Sequence, residues 1–247
     1  MIPQIGLENC LSFINCQIHP PRISPHTETG KPPRRAITIS RQSGSGGHCV
    51  AEKLVAILRA REPEAECAWT VFDRELVAKV LADHHLPSRL ARFMPEDKIS
   101  EMADTIDELF GLHPPSWTLV HKSADTILHL AELGKVILIG RGANVITQKL
   151  DYVFHVRLVG SLENRVRYME KLNQITHQEA LELVCCEDLG RKRYLKKYFR
   201  KDIDDPLLYH MVLNTDMLSH DEAAHLIADA ILQPREPGLS HAAAVAA

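Results

Sequence analysis

A glycine-rich turn between a predicted strand and a predicted helix constrains this chain more than any other feature. The β-branched run at residues 37–39 comes first, a Ser/Gly cluster follows, and apolar residues then recur at helical spacing over residues 50–58. Strand, glycine loop and helix in this order typify sites where backbone N–H groups and a helix N-terminus surround a phosphate. We therefore predict an anion-binding loop made of Ser43, Gly44, Ser45, Gly46, Gly47, His48 and Cys49.

The loop departs from the usual phosphate-loop motif, G-x-x-x-x-G-K-[ST], at three diagnostic positions. When the two are aligned at the start of the helix, the first glycine of the motif falls on Arg41, its lysine on Gly47 and its Ser/Thr on Cys49. The alternative interpretation is a strand-to-helix turn that needs flexible residues for its geometry alone. The loop by itself leaves both interpretations open.

Composition indicates one α/β domain with short tails. The chain has 247 residues, of which 45% are hydrophobic, and a formal net charge of −3, so no global electrostatic footprint for nucleic acid or a membrane is expected. No apolar run approaches the roughly 20 residues that span a bilayer, and no signal peptide is recognised. Six cysteines without C-x-x-C or zinc spacing predict reduced thiols and a cytoplasmic location. Proline-rich residues 1–35 and residues 233–247 are predicted to be loosely ordered tails.

Between the tails, short β-branched runs alternate with longer helical periodicities, which is the α/β pattern. Strands are predicted at residues 35–40, 68–72, 135–139, 152–159 and 211–213. Helices are predicted at residues 48–61, 74–82, 100–112, 116–133, 161–172, 176–187 and 219–232. Two helices begin with capping boxes, one formed by Thr176 with Glu179 and the other by Ser219 with Glu222.

Three polar residues follow predicted strands, where ligands bind to open parallel sheets. Arg141 lies between Gly140 and Gly142, so its guanidinium is expected to reach a phosphate or carboxylate. Asp73 and Arg74 end the second strand, and we expect them to contact substrate, with Asp73 also helping to hold a metal through water. The alternatives are a surface ion pair for Arg141 and simple helix capping for Asp73.

A dense basic segment covers residues 191–201. Such a run is often only the solvated face of a helix, and Tyr194, Tyr198 and Phe199 would then form its apolar stripe. Beside a phosphate loop, however, an arginine-rich helix is suited to closing over a transferring phosphoryl group and stabilising its charge. We therefore predict a lid in which Arg191 and Arg193 contact that group.

These segments, taken in order, resemble the cytidylate kinase-like family, a branch of the P-loop nucleoside monophosphate kinases. The resemblance covers residues 36–232. It rests on I-T-I-S-R-Q-S-G-S-G-G from residue 37, F-D-R-E-L from residue 72, I-G-R-G-A from residue 139, D-L-G-R-K-R-Y from residue 188 and L-N-T-D from residue 213. The order and spacing of these segments are far more specific than the loop alone.

The resemblance implies that residues 36–232 form a P-loop NTPase domain with a parallel five-stranded sheet. It further implies an acceptor-binding insertion at residues 81–118 and a lid at residues 188–205. The implied activity is ATP-dependent phosphoryl transfer to CMP or dCMP, with Mg²⁺ placed by Asp73 and Ser45, and with Arg165 as a further candidate beside Arg141, Arg191 and Arg193.

Two alternative functions remain because the loop lacks its lysine. The first is a nucleotide-binding regulator without catalysis, and the second is a P-loop kinase for another small acceptor. The sequence leaves the oligomeric state open.

Overall fold

The computed structural model describes residues 10, 12–14, 16, 35–63, 67–73 and 118–233. The predicted helices at residues 74–82 and 100–112, nearly all of the predicted insertion, Arg74 and the residues after 233 lie outside this part of the chain. The boundaries assigned to the tails, the insertion and the lid stay predictions.

Strands and helices alternate along the described chain. The order is β1 (Ala36–Arg41), α1 (Gly47–Arg61), β2 (Thr70–Phe72), α2 (Thr118–Leu133), β3 (Val136–Ile139), α3 (Ala143–Ile146), β4 (Val153–Val159), α4 (Leu162–Asn173), α5 (His177–Phe199), a 3₁₀ turn (Pro206–Leu208), β5 (Met211–Asn214) and α6 (His220–Leu232). All five predicted strands are present, and the α/β class is confirmed.

The five strands form one parallel sheet in the order β2-β3-β1-β4-β5. Strand β1 is central, and its Ile37 lies between Ile137 of β3 and Phe154 of β4. Strands β2 and β3 lie on one side of β1, and β4 and β5 lie on the other. The connections therefore diverge at the carboxyl end of β1, which is the place where such sheets bind ligands. The glycine loop and Gly140 both follow strands at this edge.

Helices cover both faces of the sheet, which explains why the strands are almost continuously apolar. Ile37 and Ile39 face a core that contains Leu54 of α1 and Ile227 of α6. Ala36, Val136 and Leu138 face the opposite core, which contains residues of α2 and the end of α5. The two cores hold β1 and its neighbours rigidly, so the loops at their carboxyl ends are presented from a fixed base.

Residues from the predicted N-terminal tail also belong to the core. Phe13 and Ile14 are buried, and the ring of Phe13 meets that of Phe72 edge to face with centroids 5.8 Å apart. The Cys10 thiol donates a hydrogen bond to the carbonyl of Val71 at 3.4 Å. Burial, with a smaller contribution from Asp73, raises the pKa of Cys10 to about 12, so this thiol stays protonated.

A disulfide joins Cys16 to Cys67, whose Cα atoms are 6.0 Å apart. The prediction of reduced thiols is therefore wrong for these two residues, because the fold brings together cysteines that are 51 positions apart in the sequence. Cys10, Cys49, Cys185 and Cys186 are free cysteines. No helix in the described ranges is long and apolar enough to cross a membrane.

Helix α5 is longer than the sequence predicted. It begins after the capping box at Thr176 and continues through the basic segment to Phe199, whereas the prediction ended it at residue 187. The extension has a physical cause, because Leu195 and Phe199 are buried in the core and stabilise the last turns. The apolar stripe expected on the basic segment is thus present, with cationic residues on the outward face.

Candidate functional site

A cavity of about 510 Å³ lies at the carboxyl edge of the sheet, between the ends of β1, β2 and β3 and helix α5. Its charged lining consists of three arginines and two acids, with one histidine beside them: Arg41, Arg141, Arg191, Asp73, Glu187 and His48. The arginines outnumber the acids, which suits an anionic ligand. Three predicted site residues, Asp73, Arg141 and Arg191, are therefore brought together around one space with His48 of the loop.

Arg141 is held at the cavity by an unusual backbone conformation. Its φ is +57°, and those of Gly140 and Gly142 are +78° and +71°. Left-handed geometry is costly for a side chain that carries a Cβ, so the surrounding structure must enforce it at Arg141. Gly142 is required sterically as well, because a Cβ there would lie 2.9 Å from the ring of Phe199. This turn directs Arg141 towards the end of the sheet.

The glycine loop packs tightly against Arg165 of α4 and His220 of α6. A Cβ at Gly44 would lie 2.4 Å from the backbone oxygen of Arg165, and one at Gly46 would lie 2.1 Å from Nε2 of His220. Both glycines also have positive φ, of +79° and +75°. The sequence needed glycine here for close approach as well as for flexibility, which is how a phosphate loop keeps its backbone N–H groups in place.

Two residues of the predicted loop use their polar groups within the protein. The Ser43 N–H donates to Oδ1 of Asp188 at 2.7 Å, and its hydroxyl donates to Oε2 of Glu187 at 2.6 Å. The Ser45 N–H and hydroxyl both bond to the carbonyl of Gln42, at 3.3 Å and 2.8 Å. The first-turn N–H groups of α1, from Gly47 to Cys49, have no carbonyl partner within the helix and are the donors best placed for an anion.

Acidic residues on α5 couple this helix to the loop. Asp188 also accepts a hydrogen bond from Arg165 at 2.6 Å, and Arg165 donates to the carbonyl of Ser43 at 2.9 Å. Arg191 donates to both acids, at 2.6 Å to Glu187 and 3.0 Å to Asp188. The network links the predicted lid to the predicted phosphate loop through charged groups.

Glu187 is ionised in this network. Partial burial alone would raise its pKa, but hydrogen bonds from Ser43 and Arg191, together with the charges of Arg191 and Arg41, hold the pKa below the ordinary glutamate value. The cavity therefore carries a carboxylate that balances part of its positive charge before any ligand binds.

The metal candidates differ in what they offer. Asp73 is 6% exposed and lines the cavity, with Oδ2 3.9 Å from Nδ1 of His48. Ser45 is 1% exposed, and its hydroxyl is directed at a backbone carbonyl. Cys49 presents a soft thiol, which Mg²⁺ disfavours. Among the described residues no group of three His, Cys, Asp or Glu could hold a metal ion. Of the three candidates, Asp73 has the hard carboxylate oxygens that Mg²⁺ prefers.

Two predicted arginines do not line this cavity. Arg193 is exposed on α5, because two positions along a helix turn a side chain about 200° away from the direction of Arg191. Arg165 is buried beneath the loop and lines a second, smaller cavity with Arg157 and Lys192. In this structure Arg165 supports the loop, and Arg193 points away from it.

Two residues of the cavity were missed in the sequence. Asn144 is 4% exposed, and among the described residues its side-chain nitrogen has no hydrogen-bond partner. Buried polar groups are nearly always bonded, so this donor is available to a ligand or a water molecule in the cavity. Arg41 also lines the cavity. A charged residue at the end of the central strand is the signal in the sequence for Arg41, although the motif alignment places a glycine at this position.

The fold and site together define an α/β protein with a glycine-rich loop after its central parallel strand and an arginine-lined cavity at the same edge of the sheet. The chain belongs to the cytidylate kinase-like family, whose sequence profile matches residues 36–217. The resemblance predicted from the motifs is therefore confirmed, and the family supports nucleotide-dependent phosphoryl transfer as the general class of activity. No curated protein sequence matches this chain.

The fold is shared with proteins of solved structure. An uncharacterized protein from Eubacterium ventriosum superposes with a TM-score of 0.61 at 20% sequence identity, over 81% of this chain and 98% of that one. Shikimate kinase from Bacteroides thetaiotaomicron gives a TM-score of 0.42 at 11% identity, over 81% of this chain and 100% of that one. The first comparison shows a shared fold, and the second is too distant to carry an argument.

Proposed function

We propose that this protein transfers a phosphoryl group from ATP to a nucleoside monophosphate, with CMP or dCMP as the acceptor. The observation that carries the proposal is the cavity at the carboxyl edge, where Arg141 and Arg191 approach the same space from β3 and α5. Two guanidinium groups from different elements suit a transferring phosphoryl group, whose charge spreads over three oxygens. Family membership supports the same class of reaction.

The roles divide between the two sides of the cavity. The first-turn N–H groups of α1 would bind donor phosphates, and Arg141 would bind the acceptor phosphate. The amide of Asn144, buried on the β3 side, would donate to an acceptor oxygen. Asp73 would hold Mg²⁺ through water, and the ion would neutralise phosphate charge when bound. Arg191 would approach the transferring group from α5.

A non-catalytic nucleotide-binding regulator is the second candidate, and a specific contact favours it. The N–H of Ser43, the first residue of the loop, is bonded to Asp188. A phosphate that needs this donor must first displace the carboxylate. Gly47 also stands where the usual loop has its lysine, and loss of one charged stabiliser of a transition state costs on the order of 10²–10³ in rate.

The test is product formation. Purified protein is incubated with ATP, Mg²⁺ and each nucleoside monophosphate in turn, and ADP and the diphosphate are separated by chromatography. We expect diphosphate from CMP or dCMP, and a loss of at least about 100-fold in Arg141→Ala. Arg167→Ala removes an exposed arginine of α4 that pairs with Glu163 and is the matched control.

Each other outcome has a definite meaning. Nucleotide binding without product for any acceptor would support the regulator. ADP formation that depends on a non-nucleotide metabolite, with none for CMP, would replace the acceptor class. Equal turnover by the wild-type protein and Arg141→Ala would show that Arg141 does not bind the acceptor.

A further inference from the structure

The side chain of Arg41 crosses the start of the phosphate loop. Arg41 is the last residue of β1, and Gly47 is the first residue of α1. A Cβ placed on Gly47 would lie 3.0 Å from Cγ and 3.3 Å from Cδ of Arg41. The aliphatic part of Arg41 therefore rests on the position where the usual motif carries its lysine.

The guanidinium group continues towards the next loop at the sheet edge. A Cβ placed on Gly140 would meet Nη1 of Arg41, and the φ of Gly140 is +78°, so glycine suits this position on both grounds. Gly140 follows β3, the immediate neighbour of β1 in the sheet. Two glycines from separate segments thus leave a channel that the arginine occupies.

The charged end of Arg41 lies where a phosphate would need it. Arg41 lines the cavity together with Arg141 and Arg191, and its charge contributes to the lowered pKa of Glu187. Arg41 therefore shares one cavity with the arginine on α5 and with the proposed acceptor arginine. A phosphate bridging these groups would be contacted from three elements.

We infer that Arg41 supplies the cation that the missing loop lysine would otherwise provide, and that it binds the β- and γ-phosphates of the donor nucleotide. In the usual loop the lysine reaches these phosphates from the first turn of the helix. Here the cation comes from the end of the strand, passes over Gly47 and reaches the same space. Gly47 is thus the partner that makes room for Arg41. The inference rests on the proposed function, and it names the residue that replaces the loop lysine in the donor site.

The experiment measures phosphate-dependent binding. Affinities for ATP, AMP and inorganic tripolyphosphate are determined by calorimetry for the wild-type protein and for Arg41→Met, which keeps the aliphatic stem and removes the charge. We expect Arg41→Met to bind ATP and tripolyphosphate about 10- to 100-fold more weakly, as for a lost charge-assisted hydrogen bond. AMP affinity should change by less than about twofold, because AMP lacks the β- and γ-phosphates. Arg167→Met is the matched control.

A charge relocation separates the role of the cation from any structural role of Arg41. The double variant Arg41→Gly with Gly47→Lys rebuilds the usual arrangement and should recover most of the ATP affinity that Arg41→Gly loses. Gly47 has an ordinary helical φ, so a lysine there requires only that Arg41 be absent. Thermal unfolding of every variant shows whether it is folded.

The outcomes distinguish this inference from the proposed function. If folded Arg41→Met binds ATP as tightly as the wild-type protein, the inference on Arg41 is overturned and the proposed function stands. If Arg41→Met is unfolded, the double variant decides the inference. A double variant that is folded but does not recover ATP binding would overturn the inference. If the wild-type protein binds neither ATP nor tripolyphosphate, both are overturned.

Discussion

The Asp188 carboxylate accepts a hydrogen bond from the backbone N–H of Ser43 at 2.7 Å, so a side chain of α5 occupies a donor of the glycine loop. The same carboxylate pairs with Arg165, whose side chain is only 8% exposed. Asp188 of α5 is therefore bonded both to the glycine loop and to Arg165 of α4.

Removal of that carboxylate should destabilise the fold. In Asp188→Ala the buried Arg165 loses its acidic partner and keeps only backbone carbonyl acceptors. We expect the free energy of unfolding to fall by about 2–3 kcal/mol, less than for a fully buried ion pair because Asp188 is partly exposed. Urea denaturation measures the change. Glu163→Ala, which breaks the exposed pair with Arg167, should cost less than about 1 kcal/mol. Equal losses in the two variants would contradict the importance of burial at Asp188.

Two glycines near the site should respond to alanine in opposite directions. Gly44 has a φ of +79° and touches the backbone of Arg165, so Gly44→Ala should cost about 2 kcal/mol or more and distort the loop. Gly190 lies within α5 with no atom within 4 Å of a Cβ position, so Gly190→Ala should stabilise by about 0.5–1 kcal/mol. Denaturant midpoints test both, and a stabilised Gly44→Ala would refute the packing described for the loop.

Stability should depend on the ionisation of Glu187. Its pKa is lowered in the folded protein, so its contribution is fully present above the ordinary glutamate value and is lost as the pH falls through the folded value. We expect the free energy of unfolding to decline less steeply on acidification in Glu187→Gln than in the wild-type protein. Urea denaturation at a series of pH values gives both curves. Parallel curves would show that Glu187 is not held ionised by its neighbours.

The disulfide should contribute measurably to stability. Closing a loop of 51 positions restricts the unfolded chain, and we expect reduction of Cys16–Cys67 to lower the free energy of unfolding by about 3 kcal/mol. Thermal unfolding with and without a phosphine reductant measures the shift. The variant Cys16→Ser should be insensitive to reductant. A wild-type protein that is equally insensitive would indicate that the bond does not constrain the chain.

Local patterns in the sequence predicted the framework of this fold well. The apolar run of β3 and both capping boxes are present as expected, because each depends on residues that are close in sequence. The end of α5 was not predicted, since the burial of Leu195 and Phe199 in the core is a tertiary effect. Local propensity gives way to such packing.

The site was only partly predictable for the same reason. Strand ends identified Asp73 and Arg141, because parallel strands finish at a common edge. The contact of Arg41 with Gly140 depends on the register of β1 against β3 and cannot be seen in one segment. Arg193 was predicted from the basic segment and the family resemblance, and helical geometry turns it away from the cavity.

The burial of Cys10 and Phe13 against β2 has a consequence for association. Strand β2 is at one edge of the five-stranded sheet, where unpaired carbonyls invite a strand from a second molecule. The carbonyl of Val71 already accepts the Cys10 thiol, and Phe13 covers Phe72. A shortened chain beginning at Ala36 would lose these contacts and expose the open edge of β2. The described residues of the N-terminal segment therefore cover part of the outer edge of β2 in the folded protein.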